Sequence, residues 1–260
     1  MSYQIDLSGR VVLVTGASSG LGAQFARVLA RAGAGVALAG RRVERLKSLR
    51  AEIEADGGDA HVVPMDVTDH DSIKAAVAHT ETDVGAIDIL VNNSGVATTQ
   101  KLVEVTPEDF DYIFDVNVRG AFFVAQEVGK RMIARSQGAA PGTFTGGRIV
   151  NIASMAGLRP LSRIGAYAMS KAAVIHMTKA MALEWGRYRI NVNAICPGYI
   201  DTEINHHQWQ TDSGKKLVES MPRKRIGQPS DLDTVLMMLC ANESHFINGA
   251  IVEADDGASV

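Results

Sequence analysis

The sequence predicts an α/β fold, a doubly wound parallel sheet of about seven strands in a single domain, and three observations predict it. Short apolar runs suited to buried strands alternate along the chain with segments whose apolar residues recur at helical spacing. The first of these units, Val11 to Gly22 (VVLVTGASSGLG), runs a strand straight into a glycine-rich turn and a helix carried by Leu21, Phe25, Val28 and Leu29. With 260 residues, 46% hydrophobic and only 21% charged, the chain is long and apolar enough to bury one large core.

In the opening turn each glycine has a task. Gly16 lets the turn close, Gly20 lets the backbone approach a ligand, and Gly22 lets helix and strand pack closely. Backbone N–H groups and the positive end of a helix at such a turn suit a pyrophosphate. The spacing G-x-x-x-G-x-G differs from the commonest dinucleotide pattern, so the turn alone leaves an ordinary tight turn open.

A second strand follows over Val36–Ala39, entered through Gly33 and Gly35, and after Arg41-Arg42 a helix covers Val43–Ile53. Ala60–Met65 is the third strand, ended by Asp66, and Asp69 caps a helix running to about Val84. Asp88–Val91 is the fourth strand. Thr106-Pro107-Glu108-Asp109 opens one long helix, with Thr106 as N-cap, Pro107 in the first position and Asp109 as the reciprocal box partner. Phe110, Ile113, Phe114, Val116, Val118, Phe122, Phe123 and Val128 predict that this helix is buried on more than one side.

Gly138 to Gly147 reads as a surface loop, Arg148–Ile152 as the fifth strand, Ala166–Trp185 as a helix, and Ile190–Ile195 as the sixth strand, ended by Pro197-Gly198. Between Ile200 and Met221 the pattern is mixed and polar, which predicts one or two short, loosely packed helices; residues 199–226 are expected to form a substrate loop or lid. Pro229-Ser230-Asp231 starts the last helix, Leu232–Cys240, and Ala250–Ala254 closes the sheet. The spacings require right-handed crossovers, hence parallel strands covered on both faces.

A net charge of -3 gives no electrostatic reason for a nucleic acid or an anionic membrane as partner. No apolar run approaches the roughly 20 residues of a membrane span, and MSYQIDLSGR lacks the basic start and apolar centre of a secretion signal. Cys196 and Cys240 stand alone, best read as buried small hydrophobes, and the adjacent His206-His207 point apart; no metal is expected, and a reducing cytoplasmic setting is.

Tyr167 and Lys171 lie four apart in a helical segment and so share one face. A phenol with a pKa near 10 beside an ammonium can act as acid or base closer to neutrality. Ser154, thirteen residues earlier at a strand end, can donate to a carbonyl oxygen; a turn or cap role is the bland alternative. Asn117 is an amide in a largely apolar helix and needs a partner or a purpose.

TGASSGLG resembles the cofactor-binding segment of the classical short-chain dehydrogenase/reductase family, and NVRG at Asn117, NIAS at Ser154 and YAMSK at Tyr167 and Lys171 are similar to its Asn, Ser, Tyr, Lys tetrad in order and context. The resemblance covers essentially the whole chain. It implies a Rossmann-type sheet and an oxidoreductase that passes hydride between a nicotinamide dinucleotide and a ketone or secondary alcohol. Tyr167 would exchange the proton, Ser154 fix the oxygen, Lys171 lower the tyrosine pKa and bind ribose, and Asn117 hold a water in a relay. Cofactor contacts are implied for Gly16, Ser18, Ser19, Gly20, Leu21, Gly22, Asp66, Val67, Asn93, Ser94, Gly95, Pro197, Gly198, Ile200 and Thr202; Ser94 stands where the family usually has Ala.

Gly40 occupies the place of the family's NAD-selecting aspartate, and Arg41 follows where relatives bind a 2′-phosphate, so the expected cofactor is NADP(H), with NAD as the alternative. The implied pocket (Met155, Leu158, Leu161, Tyr199 and parts of Ile204 to Met221) is mostly apolar and favours a neutral small-molecule carbonyl or alcohol. Two rival readings stay open: a 3-oxoacyl-thioester reductase, should Arg223-Lys224-Arg225 attract an acidic carrier, and a non-catalytic nucleotide-responsive interaction protein. The resemblance also implies a homotetramer. Asp256-Gly257 departs from the paired glycines common near that interface.

Overall fold

Seven parallel strands hydrogen-bond side by side in the order β3-β2-β1-β4-β5-β6-β7. They are β1 (Val11–Thr15), β2 (Gly35–Gly40), β3 (Asp59–Pro64), β4 (Ile89–Asn92), β5 (Gly147–Ile152), β6 (Ile190–Pro197) and β7 (Ile251–Ala254). The structure is a computed structural model that describes residues 5–140, 143–203 and 205–260. The order of the strands reverses between β1 and β4, and in such sheets a ligand crevice opens outside the strands' carboxyl ends at that point.

The alternation of side chains along each strand sends them into two helical layers. In β1, Val12 and Val14 join one core with Phe25 and Leu29 of α1 (Gly20–Arg31), Leu46 and Leu49 of α2 (Val43–Ala55) and Leu236 and Leu239 near the chain end. Leu13, between them, faces the opposite core with Ile73 and Val77 of α3 (His70–Asp83). Both faces being covered, β5 and β6 are buried along their entire length.

Strand limits shift by a few residues where hydrogen bonding overrides hydrophobicity. Met65, expected in the third strand, lies just past β3 although its N–H still reaches the Gly40 carbonyl at 3.1 Å. Asp69 caps α3 by accepting from the Asp71 N–H at 2.9 Å. Thr106 accepts from the Asp109 N–H at 3.2 Å, whereas the Asp109 carboxylate takes the Thr106 hydroxyl, at 3.2 Å, instead of the expected backbone N–H.

The one long helix predicted from Pro107 is three pieces: α4 (Pro107–Phe114), a π-helical turn over Asp115–Gly120, and α5 (Ala121–Gly138). Neither a proline nor a glycine pair announces the break. It coincides with Asn117, and Gly120 in the same turn packs so closely that a Cβ there would stand 2.7 Å from the Val67 carbonyl oxygen. Pro141 and Gly142 of the expected loop lie outside the described residues. Beyond it come α6 (Gly165–Trp185), α7 (His206–Gln210), α8 (Asp212–Ser220) and α9 (Asp233–Cys240).

The segment between β6 and α9 is better anchored than its composition suggests. Trp209 and Met221 are buried, and Trp209 meets the Tyr199 ring edge-on at 5.8 Å. Arg223 and Arg225 both pair with Asp256, at 3.3 and 2.7 Å, and Arg225 also pairs with Asp231 at 3.0 Å. Asp256 has a left-handed φ of 58°, a conformation its neighbour Gly257 shares. Cys196 and Cys240 are both buried, and burial pushes their thiols up to about 11 and about 12.

Candidate active site

At the carboxyl end of β1 the chain turns through Gly16 with φ +67°, and Gly22 lies so tightly against it that a Cβ would fall 2.3 Å from the Gly16 carbonyl oxygen. The turn is braced from β4. The Thr15 hydroxyl accepts from the N–H groups of Asn93 and Ser94, at 2.9 and 3.0 Å, and the Asn93 amide donates to the Thr15 carbonyl at 3.0 Å. Asn93, expected against a cofactor, therefore spends its side chain holding the turn in shape. Ser19 precedes α1 as N-cap without a side-chain bond to the helix, leaving the first-turn N–H groups facing outward from the cleft end of β1.

Arg41 and Arg42 divide differently from the sequence expectation. Arg41, largely exposed, stands 3.9 Å from Asp66. Burial pulls the Asp66 carboxyl up, but hydrogen bonds from the Thr68 N–H and hydroxyl, with Arg41, outweigh it and hold the group below its ordinary value. Arg42, not singled out from sequence, folds back over the glycine turn: its Nε donates to Ser18 Oγ at 3.0 Å and its Nη2 to Ser19 Oγ. Beside them Gly40 leaves space, since a Cβ there would meet nothing nearer than Leu46 and Ser18 at 3.9 Å. An open corner, two hydroxyls, two guanidiniums and a helix N-terminus fit the phosphates of a dinucleotide.

The tetrad gathers at the ends of β4 and β5. Ser154 follows β5, where its Oγ accepts from the Ala156 N–H at 3.1 Å. Tyr167 and Lys171 project from α6, with the ammonium 5.7 Å from the phenol ring centre. Lys171 is almost wholly buried, donates to the Ile152 carbonyl at 2.8 Å, and is pulled down to about 8 by burial. Burial also holds the Tyr167 phenol above its ordinary value, and the contact with Ser154 opposes this.

Asn117 is buried and its amide is engaged at both ends. Its oxygen accepts from the Val96 N–H at 2.8 Å, and its Nδ2 donates to the Val96 carbonyl at 2.9 Å and to Ser170 Oγ at 3.0 Å. Ser170 in turn donates to the Tyr167 carbonyl at 2.7 Å. Asn117 ties the segment after β4 to the helix that carries Tyr167. Gly95 passes through the same junction, where a Cβ would stand 3.4 Å from both Asn117 Oδ1 and Lys171 Nζ.

The far wall of the cleft starts after β6. Gly198 is pressed against Asp255, 2.7 Å from where its Cβ would be, and Ile200 bridges to Gly227. Thr202 faces Gly20 of the glycine turn, 3.5 Å from a Cβ there, and its own N–H is held by Asn205 at 2.8 Å. Leu21 and Val67 flank the turn and the β3 end respectively. Of the expected pocket, Met155 is buried, Leu158 is exposed, Tyr199 lies over Trp209, and Ile204 is outside the described residues. Among the described residues no group of three or more His, Cys, Asp or Glu side chains could hold a metal ion, and no helix is long and apolar enough to cross a membrane.

A family model described as short chain dehydrogenase matches residues 10–213. A gluconate 5-dehydrogenase of Gluconobacter oxydans is 38% identical over 256 residues, covering 98% of this chain and 96% of the relative. A D-threitol dehydrogenase of Mycolicibacterium smegmatis is 34% identical, covering 100% of this chain and 96% of the relative. The crystal structure of a gluconate 5-dehydrogenase from Burkholderia cenocepacia, in complex with NADP and tartrate, superposes with a TM-score of 0.91 at 35% identity, covering 98% of this chain and 96% of that one.

The buried ammonium of Lys171 has a consequence for stability. Its folded pKa of about 8 lies below the unfolded 10.5, so the unfolded state binds more protons between these values and stability rises with pH there. Relative to Lys171→Met, the wild type should gain on the order of 3 kcal/mol from pH 8 to 10.5. Urea midpoints measured for both proteins across that window check it; a constant gap between them would show that Lys171 carries no such penalty.

Proposed function

The chain belongs to the short-chain dehydrogenase/reductase family and is an NAD(P)-dependent oxidoreductase of small carbonyl or alcohol compounds; from that premise we propose that it interconverts a polyhydroxylated secondary alcohol, a sugar acid foremost, and its ketone with NADP(H). The observation that carries the reaction type is the convergence of Ser154, Tyr167 and Lys171 at the carboxyl ends of the central strands, beside the braced glycine turn. A bound nicotinamide dinucleotide supplies or accepts the hydride. Tyr167 gives its proton to the carbonyl oxygen in reduction and takes the alcohol proton in oxidation, while the Ser154 hydroxyl holds that oxygen and opposes the burial that raises the phenol. Lys171 keeps positive charge beneath the phenol and is the group for the ribose hydroxyls. Asn117, through Ser170, acts as a positioning residue for Tyr167.

Two features favour a polyhydroxylated or acidic substrate, where the mostly apolar pocket residues of the sequence favour a neutral carbonyl or alcohol. Relatives that match nearly end to end act on gluconate and on D-threitol. Arg159, on the loop between Ser154 and Tyr167, donates to the Ala258 carbonyl through Nη2 but has a buried Nε without a partner among the described residues. Residues 199–226 serve as the substrate lid in this reading. For NADP(H), Arg41 at the open corner beside Gly40 offers charge to a 2′-phosphate, and the NADP complex of the Burkholderia enzyme supports the assignment. The tetramer draws support from Phe110, Phe122, Met169 and Leu183, large apolar side chains exposed on α4, α5 and α6.

Three outcomes test these readings. Tyr167→Phe should lower turnover of gluconate or D-threitol with NADP⁺ by roughly 10² to 10⁴ while leaving dinucleotide affinity unchanged; full activity would refute the acid/base role. The apoprotein should bind NADPH about ten- to a hundredfold more tightly than NADH, with the advantage smaller in Arg41→Ala and at high salt. Light scattering after size exclusion should give four times the chain mass of 27.7 kDa; a monomer would refute the assembly.

A further inference from the structure

Gly40 removes the carboxylate that would repel a 2′-phosphate from the end of β2, yet a carboxylate reaches the same corner from elsewhere. Glu203 lies in the strap that leaves β6 for α7, one residue after Thr202. Its Oε2 is 3.2 Å from Arg42 Nη1, and both its oxygens meet Arg45 Nη1, at 2.6 and 2.7 Å. Arg42 is the guanidinium that also spans Ser18 and Ser19 of the glycine turn, and Arg45 stands one helical turn further along α2. Hydrogen bonds from the two arginines hold the Glu203 carboxyl below its ordinary value, so it is ionised at neutral pH.

Asn205 fastens the strap on either side of this carboxylate. Asn205 accepts from the Thr202 N–H at 2.8 Å and donates to the Ile200 carbonyl at 2.8 Å, closing a tight turn with Glu203 at its outer edge. Thr202 faces Gly20 on one side of that edge, and α7 carries the buried Trp209 on the other. The strap is therefore set beside the glycine turn and joined to the start of α2 by charge.

We propose that Glu203 is a latch on the lid that competes with the 2′-phosphate of the dinucleotide for Arg42, so that NADP(H), and not NAD(H), releases this end of the lid. The proposal rests on the NADP(H) reading above. A phosphate dianion at the corner takes the Arg42 fork from a monoanionic carboxylate, and Glu203 is left with Arg45 alone. The unphosphorylated dinucleotide brings no rival anion there, and the latch stays closed. Because the ion pairs are about half exposed, each contributes little and the latch is weak enough for a ligand to open.

The test uses the whole protein and two probes, adenosine 2′,5′-bisphosphate and adenosine 5′-monophosphate, alongside NADPH and NADH. Glu203→Gln should tighten binding of the 2′-phosphorylated ligands about two- to fivefold at low salt, leave the others unchanged, and lose its effect in high salt or when combined with Arg42→Ala. In a Trp185→Phe background Trp209 is the remaining tryptophan. Its emission should then respond to the bisphosphate with Glu203 present, and start near the ligand-bound value in Glu203→Gln. Wild-type preference for NADPH without any gain in Glu203→Gln overturns the latch and leaves the cofactor reading intact. An equal gain for both ligand types also overturns it, and failure of both proteins to prefer the 2′-phosphate overturns the cofactor reading with it.

Discussion

The junction of Thr15 with Asn93 and Ser94 is the constraint on which the rest of the site depends. β1 and β4 are neighbours whose connections leave in opposite directions, so their carboxyl ends part and open a crevice. An open end leaves backbone groups without ladder partners, and one threonine hydroxyl with one asparagine amide satisfies four of them: two N–H groups and the carbonyls of Thr15 and Gly16. The glycine turn can then approach a ligand with its remaining N–H groups free. Loss of that brace would deform the turn from below without touching any ligand atom.

Beside the same junction a buried polar chain runs under Ser154, Tyr167 and Lys171. Asn92 donates to the Ala121 carbonyl and to Asn151, Asn151 donates to Thr178 on α6, and separately Asn117 with Ser170 links the segment after β4 to α6. Apolar packing alone would allow α6 to slide or rotate by small amounts at little cost, whereas buried hydrogen bonds penalise each displaced partner. The π-helical turn fits this picture, since it brings Asn117 into reach of both Val96 and Ser170 midway along an otherwise regular helix. Beside them Lys171 is a costly feature, a buried ammonium that burial pulls down to about 8 and whose only hydrogen bond among the described residues is to the Ile152 carbonyl.

The sheet was legible because parallel strands covered on both faces must be apolar nearly throughout, and the turns between them carry glycine and capping residues at expected places. The helix break at Asp115–Gly120 was not, because a π turn alters hydrogen bonding without altering apolar periodicity much. The motifs place Tyr167, Lys171, Ser154 and Asn117 together but do not carry the hydrogen bonds that the Asn117 amide makes with Val96 and Ser170. Which of two adjacent arginines reaches the glycine turn depends on the angle at which α2 leaves the sheet, and a linear pattern does not carry that angle. Glu203 is 161 residues from Arg42, so no local signal connects them.

The segment between β6 and α9 is tied at both ends by charge and in its middle by apolar burial, and the division has a physical logic. Glu203 bridges Arg42 and Arg45 at one end; Asp256 bridges Arg223 and Arg225 at the other. Between them Trp209 and Met221 are buried. Apolar anchors keep the segment folded whatever the ionic conditions, while half-exposed ion pairs contribute little each and respond to competing ions. Asp256 pays a conformational cost for its role, because a left-handed φ is uncommon for a residue with a side chain. A glycine would adopt that φ without strain, but it could not hold either arginine, so the two ion pairs account for the aspartate and make the second end of the segment as dependent on charge as the first.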